Sequence, residues 1–230
     1  MHWLLVAQLI IIICSKNISA MIPDRSFIEY ADSLFNSDSS GQKTYVKIVH
    51  NVHKYFLVTT CTTIPVPYSN VIKSLEDINS YKDYFKFMKR SEFVSAESLG
   101  DSIALFEAGI ALYISWYAGK ISQRFSSDRT ECRLICGNID QRVFKDEWEG
   151  KITGFIKIRS HDVYMEWRIR DEGDRKTKIS LTVAQAPVVY IPKWLLRIAA
   201  KNIFPGMLRE LEEVLVEKNQ QAEISKKNVY

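Results

Sequence analysis

The side chains able to do chemistry in this sequence are scattered rather than clustered. His50 and His53 are the closest pair of imidazoles, three residues apart in a stretch rich in Val, Tyr and Phe. A strand sends them to opposite faces, and no cysteine or carboxylate cluster lies nearby in sequence to complete a zinc site. His161 falls in a Ser-His-Asp turn signal and reads as a loop residue. There is no G-x-S-x-G, P-loop or Rossmann glycine pattern. The motifs therefore call for no metal and no cofactor, and no residue is assigned a catalytic role.

Three charged residues stand in strand-like segments beside apolar or aromatic neighbours: Arg124, Glu147 and Glu166. A charge turned inward needs a partner or a ligand head group. Between residues 163 and 170, however, Val163, Met165, Trp167 and Ile169 alternate with Tyr164, Glu166, Arg168 and Arg170. That period of two sends Glu166 outward with the two arginines, onto a face expected to be solvated.

The better candidates for binding are apolar. Trp116, Trp148, Trp167 and Trp194 each carry a large ring and one polar atom, which suits a core or a ligand pocket. Alternation points Trp167 inward, with Met165 beside it on the same strand face. Phe204, Met207 and Leu211 recur at helical spacing, and methionine adapts to varied shapes. The candidate ligand-binding set is Trp167, Met165, Trp116, Trp194, Phe204, Met207 and Leu211.

The elements that must position these residues follow from periodicity. Met21 to Leu34 has the spacing of a short amphipathic helix, and Asn36 to Gly41 reads as a loop. Tyr45 to Thr63 is one long strand or two paired ones, stopped by Ile64-Pro65-Val66-Pro67, with Ser69 as a candidate cap. Val71, Ile72, Leu75 and Ile78 predict a helix, and Tyr81, Tyr84 and Phe85 a second. From Lys89 to Ala186, turn signals at 99–101, 126–129, 136–138, 160–162 and 171–174 divide the chain into about six strands of a meandering antiparallel sheet. Residues 143–148 fit a helical turn or a strand equally. After Pro192 an apolar stripe runs from Trp194 to Leu215, with Pro205-Gly206 expected to kink it and residues beyond Glu217 expected to fray.

The composition, 47% hydrophobic and 25% charged in 230 residues, is that of an ordinary globular protein. A net charge of +4, from 31 basic and 27 acidic residues without a dense basic block, argues against nucleic acid as a partner. The apolar run Trp3 to Cys14 is short for a bilayer span, and Ser19-Ala20 supplies a cleavage point before Met21. Residues 1–20 are expected to be a signal peptide and the protein to be exported, periplasmic or extracellular. Their removal leaves Cys61, Cys132 and Cys136, too few for a disulfide framework. In a strand Cys132 and Cys136 share a face roughly 13 Å apart, so Cys61 with one of them, or three buried free thiols, are the alternatives.

Three local sequences strengthen a likeness in element order. Ile64-Pro65 is followed by Val71, Leu75, Asp77, Tyr81 and Phe85; Trp167 is followed by Gly173, Thr177 and Ala186-Pro187; and Ile191-Pro192-Lys193-Trp194 leads into the last helix. On these the chain resembles the START-like or SRPBCC superfamily, which includes the birch-pollen-allergen group, polyketide cyclases and coenzyme Q-binding proteins. The resemblance spans about residues 54 to 216. It implies an α+β helix-grip fold, in which a curved antiparallel sheet wraps a long C-terminal helix, with two short helices after the first strand. It also implies a cavity between sheet and helix for a hydrophobic small molecule such as a lipid or quinone. The expected organisation is a signal peptide (1–20), an N-terminal extension (21–50), a helix-grip domain (51–219) and a polar tail (220–230). A non-enzymatic carrier, making transient contact with a membrane, is the leading expectation. A cyclase or aromatase-type enzyme and a ligand-free interaction module are its rivals.

Overall fold

The computed structural model describes residues 25–37, 41–50, 54–96, 101–110, 113–138, 156–159, 162–186 and 193–227. In chain order the elements are α1 (Arg25–Asn36), β1 (Lys43–His50), β2 (Lys54–Ile64), α2 (Tyr68–Glu76), a 3-10 turn (Ile78–Ser80), α3 (Tyr81–Tyr84), β3 (Met88–Ala96), β4 (Asp101–Ile110), β5 (Tyr113–Phe125), β6 (Glu131–Asn138), β7 (Ile156–Arg159), β8 (Asp162–Gly173), β9 (Lys176–Ala186) and α4 (Lys193–Lys227). The strands form one sheet in the order β1-β2-β9-β8-β6-β5-β4-β3, antiparallel throughout, with β7 added in parallel to β5. This is the helix-grip fold expected from the sequence.

The inner face of the sheet is built by the alternation seen in the sequence. Met165, Trp167 and Ile169 of β8 face Ile179, Leu181 and Val183 of β9 and Leu134 and Cys136 of β6, all buried in one cluster. Met207, Leu208, Leu211 and Leu215 of α4 close that cluster from one side, and Val71, Leu75, Ile78, Tyr81 and Phe85 of the α2–α3 segment close it from another. The turn between β8 and β9 is tight. Asp174 and Arg175 both have positive φ, a cost for side chains that a two-residue hairpin connection imposes.

The outer face differs from expectation. Lys178, Ser180 and Thr182 of β9 are buried, and the Arg168 side chain is only 11% exposed, because α1 lies across them. Phe35 is buried beneath the Arg168 and Arg170 guanidinium groups, whose centres lie 4.3 and 4.6 Å from its ring centre. Asp32 pairs with Arg168 at 2.5 Å, and Lys178 Nζ donates to the Ser37 carbonyl at 2.6 Å. Phe27, further back on α1, packs with Leu57 and Ala184. An amphipathic helix has thus replaced solvent over the face that alternation alone leaves wet.

Other boundaries move for local reasons. The expected boundary at residue 51 falls inside a hairpin: β1 pairs along its whole length with β2, Lys43 opposite Cys61 and His50 opposite Lys54. Pro67, not Ser69, occupies the capping position of α2, without a side-chain cap. Its fixed φ of −58° suits a helix start. At the other end, α4 continues through Pro205 and on to Lys227. The Gln42 side-chain amide donates to the Pro205 carbonyl at 2.8 Å, and Asn219 and Glu223 anchor the polar end to Asn70 and Arg175, so the expected fraying after Glu217 does not occur. The ambiguous stretch 143–148 and His161 lie outside the described residues.

Candidate functional site

The sheet narrows against the α2–α3 segment around a cavity of about 240 Å³. Its wall comes from Met165 and Trp167 of β8, residues 134–136 of β6, Ile121 and Gln123 of β5, and Phe93 of β3; Leu75, Glu76, Ile78 and Tyr81 form its roof. The exposed residues Glu76, Gln123 and Phe93 mark where it meets solvent.

The centre of the wall is held by packing. Trp167, 1% exposed, stacks on Phe85 with ring centres 6.1 Å apart and planes 11° from parallel. Phe85 in turn meets the edge of Tyr81 at 5.5 Å. The Tyr81 hydroxyl donates to the Leu75 carbonyl at 2.7 Å, which ties the end of α2 to α3. At the mouth, the Gln123 amide donates to Glu76 Oε1 at 2.5 Å, a link between helix and sheet across the opening. Trp167 Nε1–H, buried beside the Tyr81 hydroxyl, forms no well-aligned hydrogen bond.

Two buried groups of the cavity, Cys136 and Tyr81, are held neutral. Burial pushes the Cys136 thiol up to about 12, and burial, with the nearby Cys136 and Tyr84, raises Tyr81 well above its ordinary value. Neither is poised to move a proton at neutral pH. The described wall is suited to holding an apolar molecule rather than to acid–base chemistry.

The sequence candidates divide. Trp167 and Met165 meet at the cavity wall. Met207 and Leu211 are buried in the same apolar cluster, with Phe204 packed against it, but they fill space rather than line the cavity. Trp194 is 64% exposed on the first turn of α4. Trp116 stands in β5 opposite Glu107, and its side chain lies outside the described residues, as does Trp148 altogether. Arg124 is exposed, and Glu166 joins Arg133 and Tyr164 on the outer face. Sequence reasoning missed Tyr81 in the roof and Ile121 and Cys136 in the wall. The inward alternation of Leu134 and Cys136 in β6 was the available signal. Cys61 faces α1, its thiol donating to the Leu34 carbonyl at 3.9 Å, whereas Cys132 and Cys136 face the inner core. The three thiols are free.

Once this geometry is compared with solved structures, the class of fold is plain: it is that of START domains. A STAR-related lipid transfer protein of Xanthomonas axonopodis superposes with a TM-score of 0.59 at 16% identity, covering 78% of this chain and 96% of its own. Human STARD10 superposes with a TM-score of 0.65 at 11% identity over 93% of this chain and 88% of its own. Human StAR-related lipid transfer protein 5 gives 0.56 at 7% identity over 84% and 95%. No protein-family model matches the chain, and no curated protein matches it in sequence.

Proposed function

We propose that this protein binds and carries a hydrophobic small molecule in the cavity between Trp167 and the α2–α3 segment. The observation that carries this reading is a preformed apolar cavity whose wall includes the Trp167–Phe85 stack and whose strongly polar side chains among the described residues, Glu76 and Gln123, stand at its mouth. Apolar pockets with few polar groups are the common form of small-molecule site. The fold shared with lipid transfer proteins supports it. Burial of apolar ligand surface would supply roughly 25 cal/mol per Å².

At about 240 Å³ the cavity is smaller than most ligand pockets, which begin at about 300 Å³. It suits a compact apolar molecule as it stands. A lipid chain or quinone tail needs Met165 and Met207 to repack, a change that unbranched thioether side chains accommodate. The apolar run at residues 3–14 supports carriage outside the cytoplasm, which the intact mass of the mature protein, lacking residues 1–20, would establish.

Native mass spectrometry after mild purification tests the binding. The expected result is a bound apolar species, lost when Ile121→Phe fills the cavity while the fold is retained. A protein that carries nothing, and takes up nothing from a panel of lipids, quinones and small aromatics, overturns the reading.

A further inference from the structure

Among the described residues the cavity lining carries one charge, and it is negative. Glu76 is the last residue of α2, exposed at the mouth, where the end of the helix dipole is negative as well. No Lys, Arg or His stands among the described lining residues. Gln123 donates from Nε2 to Glu76 Oε1 at 2.5 Å, and the same nitrogen lies 3.6 Å from Cys132 Sγ, a second acceptor. With its hydrogens directed to protein groups, this amide leaves its oxygen for a ligand. Further in, the Tyr81 hydroxyl donates to the Leu75 carbonyl, and Trp167 Nε1–H has no surface open to the cavity. The described lining thus offers the polar end of a ligand two acceptors at the mouth, one of them charged, and no strong donor.

We propose that the site selects an apolar molecule whose polar end donates hydrogen bonds and carries no negative charge, an alcohol or an amine, and that Glu76 is the residue that makes this choice. The inference rests on the ligand-binding reading above and narrows it. A hydroxyl or ammonium at the mouth donates to Glu76 or to the Gln123 oxygen while its chain lies against Met165 and Trp167. A hydrogen bond to a carboxylate is among the stronger ones. A carboxylic acid instead brings a second negative charge beside Glu76 with no cation in the described lining to offset it, so it must lose its charge or stay out. A quinone or an ester, whose oxygens only accept, leaves water without finding a donor. The mouth thereby sorts molecules of equal apolar area, which burial alone does not tell apart.

Isothermal titration of the full chain with octanol, octylamine, octanoate and octanenitrile, the last able only to accept, is the test. Each is used below its micelle concentration. Octanol and octylamine are expected to bind about tenfold or more tighter than octanoate and octanenitrile. Glu76→Lys should draw octanoate ahead of octylamine. Lys73→Glu, a charge change on an exposed residue of α2 outside the cavity lining, should leave the order unaltered. Ile121→Phe should abolish uptake of octanol, which ties the preference to this cavity. Octanoate or octanenitrile binding as tightly as octanol overturns the proposal and leaves the ligand reading standing. So does a preference that survives Glu76→Lys or is lost in Lys73→Glu. Octanol binding retained by Ile121→Phe overturns it as well, by moving the site elsewhere. Uptake of none of the four overturns it too, and native mass spectrometry then decides the ligand reading separately.

Discussion

The guanidinium of Arg168 lies 4.3 Å above the ring centre of Phe35, so that a residue on β8 is packed as well as paired by the N-terminal helix. Arg168 also donates from Nε to Glu131 at 2.5 Å and from Nη1 to Asp32 at 2.5 Å. Phe35 is thus the apolar floor of a charged cluster. Phe35→Ala is expected to destabilise the protein by about 3–5 kcal/mol and to release α1. Urea denaturation would measure the first effect and limited proteolysis between residues 25 and 37 the second. An unchanged midpoint would show that α1 rests on the sheet without stabilising it.

Glu131 makes this cluster sensitive to acid. Its burial opposes ionisation, but Arg168, Arg133 and Arg170 outweigh that and hold its carboxyl below the usual glutamate value. A folded-state value below the unfolded one means that the unfolded chain binds the proton first, so stability rises with pH through this range. The contribution is fully present above the ordinary glutamate range and is lost as pH falls through the depressed folded value. The urea midpoint should drop on acidification below about pH 4, and Glu131→Gln should lower the midpoint at neutral pH and flatten that dependence.

Gly119 has no room for a side chain. A Cβ there would stand 2.3 Å from Cys136 Sγ and 2.8 Å from the Gly137 carbonyl oxygen. Gly119→Ala should therefore cost about 1–3 kcal/mol through forced shifts at the cavity wall. Adding Cys136→Ala should restore only part of that loss, because the backbone contact remains. A double-mutant cycle on thermal unfolding would read this directly.

Thr177 fastens β9 to the segment before α2. Its hydroxyl donates to the Val66 carbonyl at 2.6 Å, and both residues are fully buried. Thr177→Val keeps the shape and leaves that carbonyl unpaired, a cost of about 1–3 kcal/mol. Isothermal titration with any ligand found for the cavity should give an unchanged affinity, since Thr177 does not line it.

Much of the fold was written in local periodicity. The alternation around Trp167 placed it inward, and the spacing from Phe204 to Leu215 gave the C-terminal helix its buried stripe. What periodicity could not carry was cover from a distant segment. Lys178 and Thr182 read as wet because nothing near them in sequence announces α1, whose Asp32 is 136 residues from its partner Arg168. The same limit applies to the cavity. The resemblance placed it against the C-terminal helix, yet Met207 and Leu211 pack that space, and the opening lies under α2 and α3. Trp194 matched the apolar spacing but stands exposed on the first turn of α4.

The seat of α1 on β8 and β9 has a consequence for how the chain is made. The helix is synthesised well before the strands β8 and β9, whose arginines and lysine hold Phe35. It has nowhere to rest until those strands pair, and closing a loop of that length is slow. The helix α1 therefore settles only after β8 and β9 have paired, a clasp fastened over them. Pulling on the N-terminus should unfasten it first, peeling the outer layer while the inner core and its cavity stay closed.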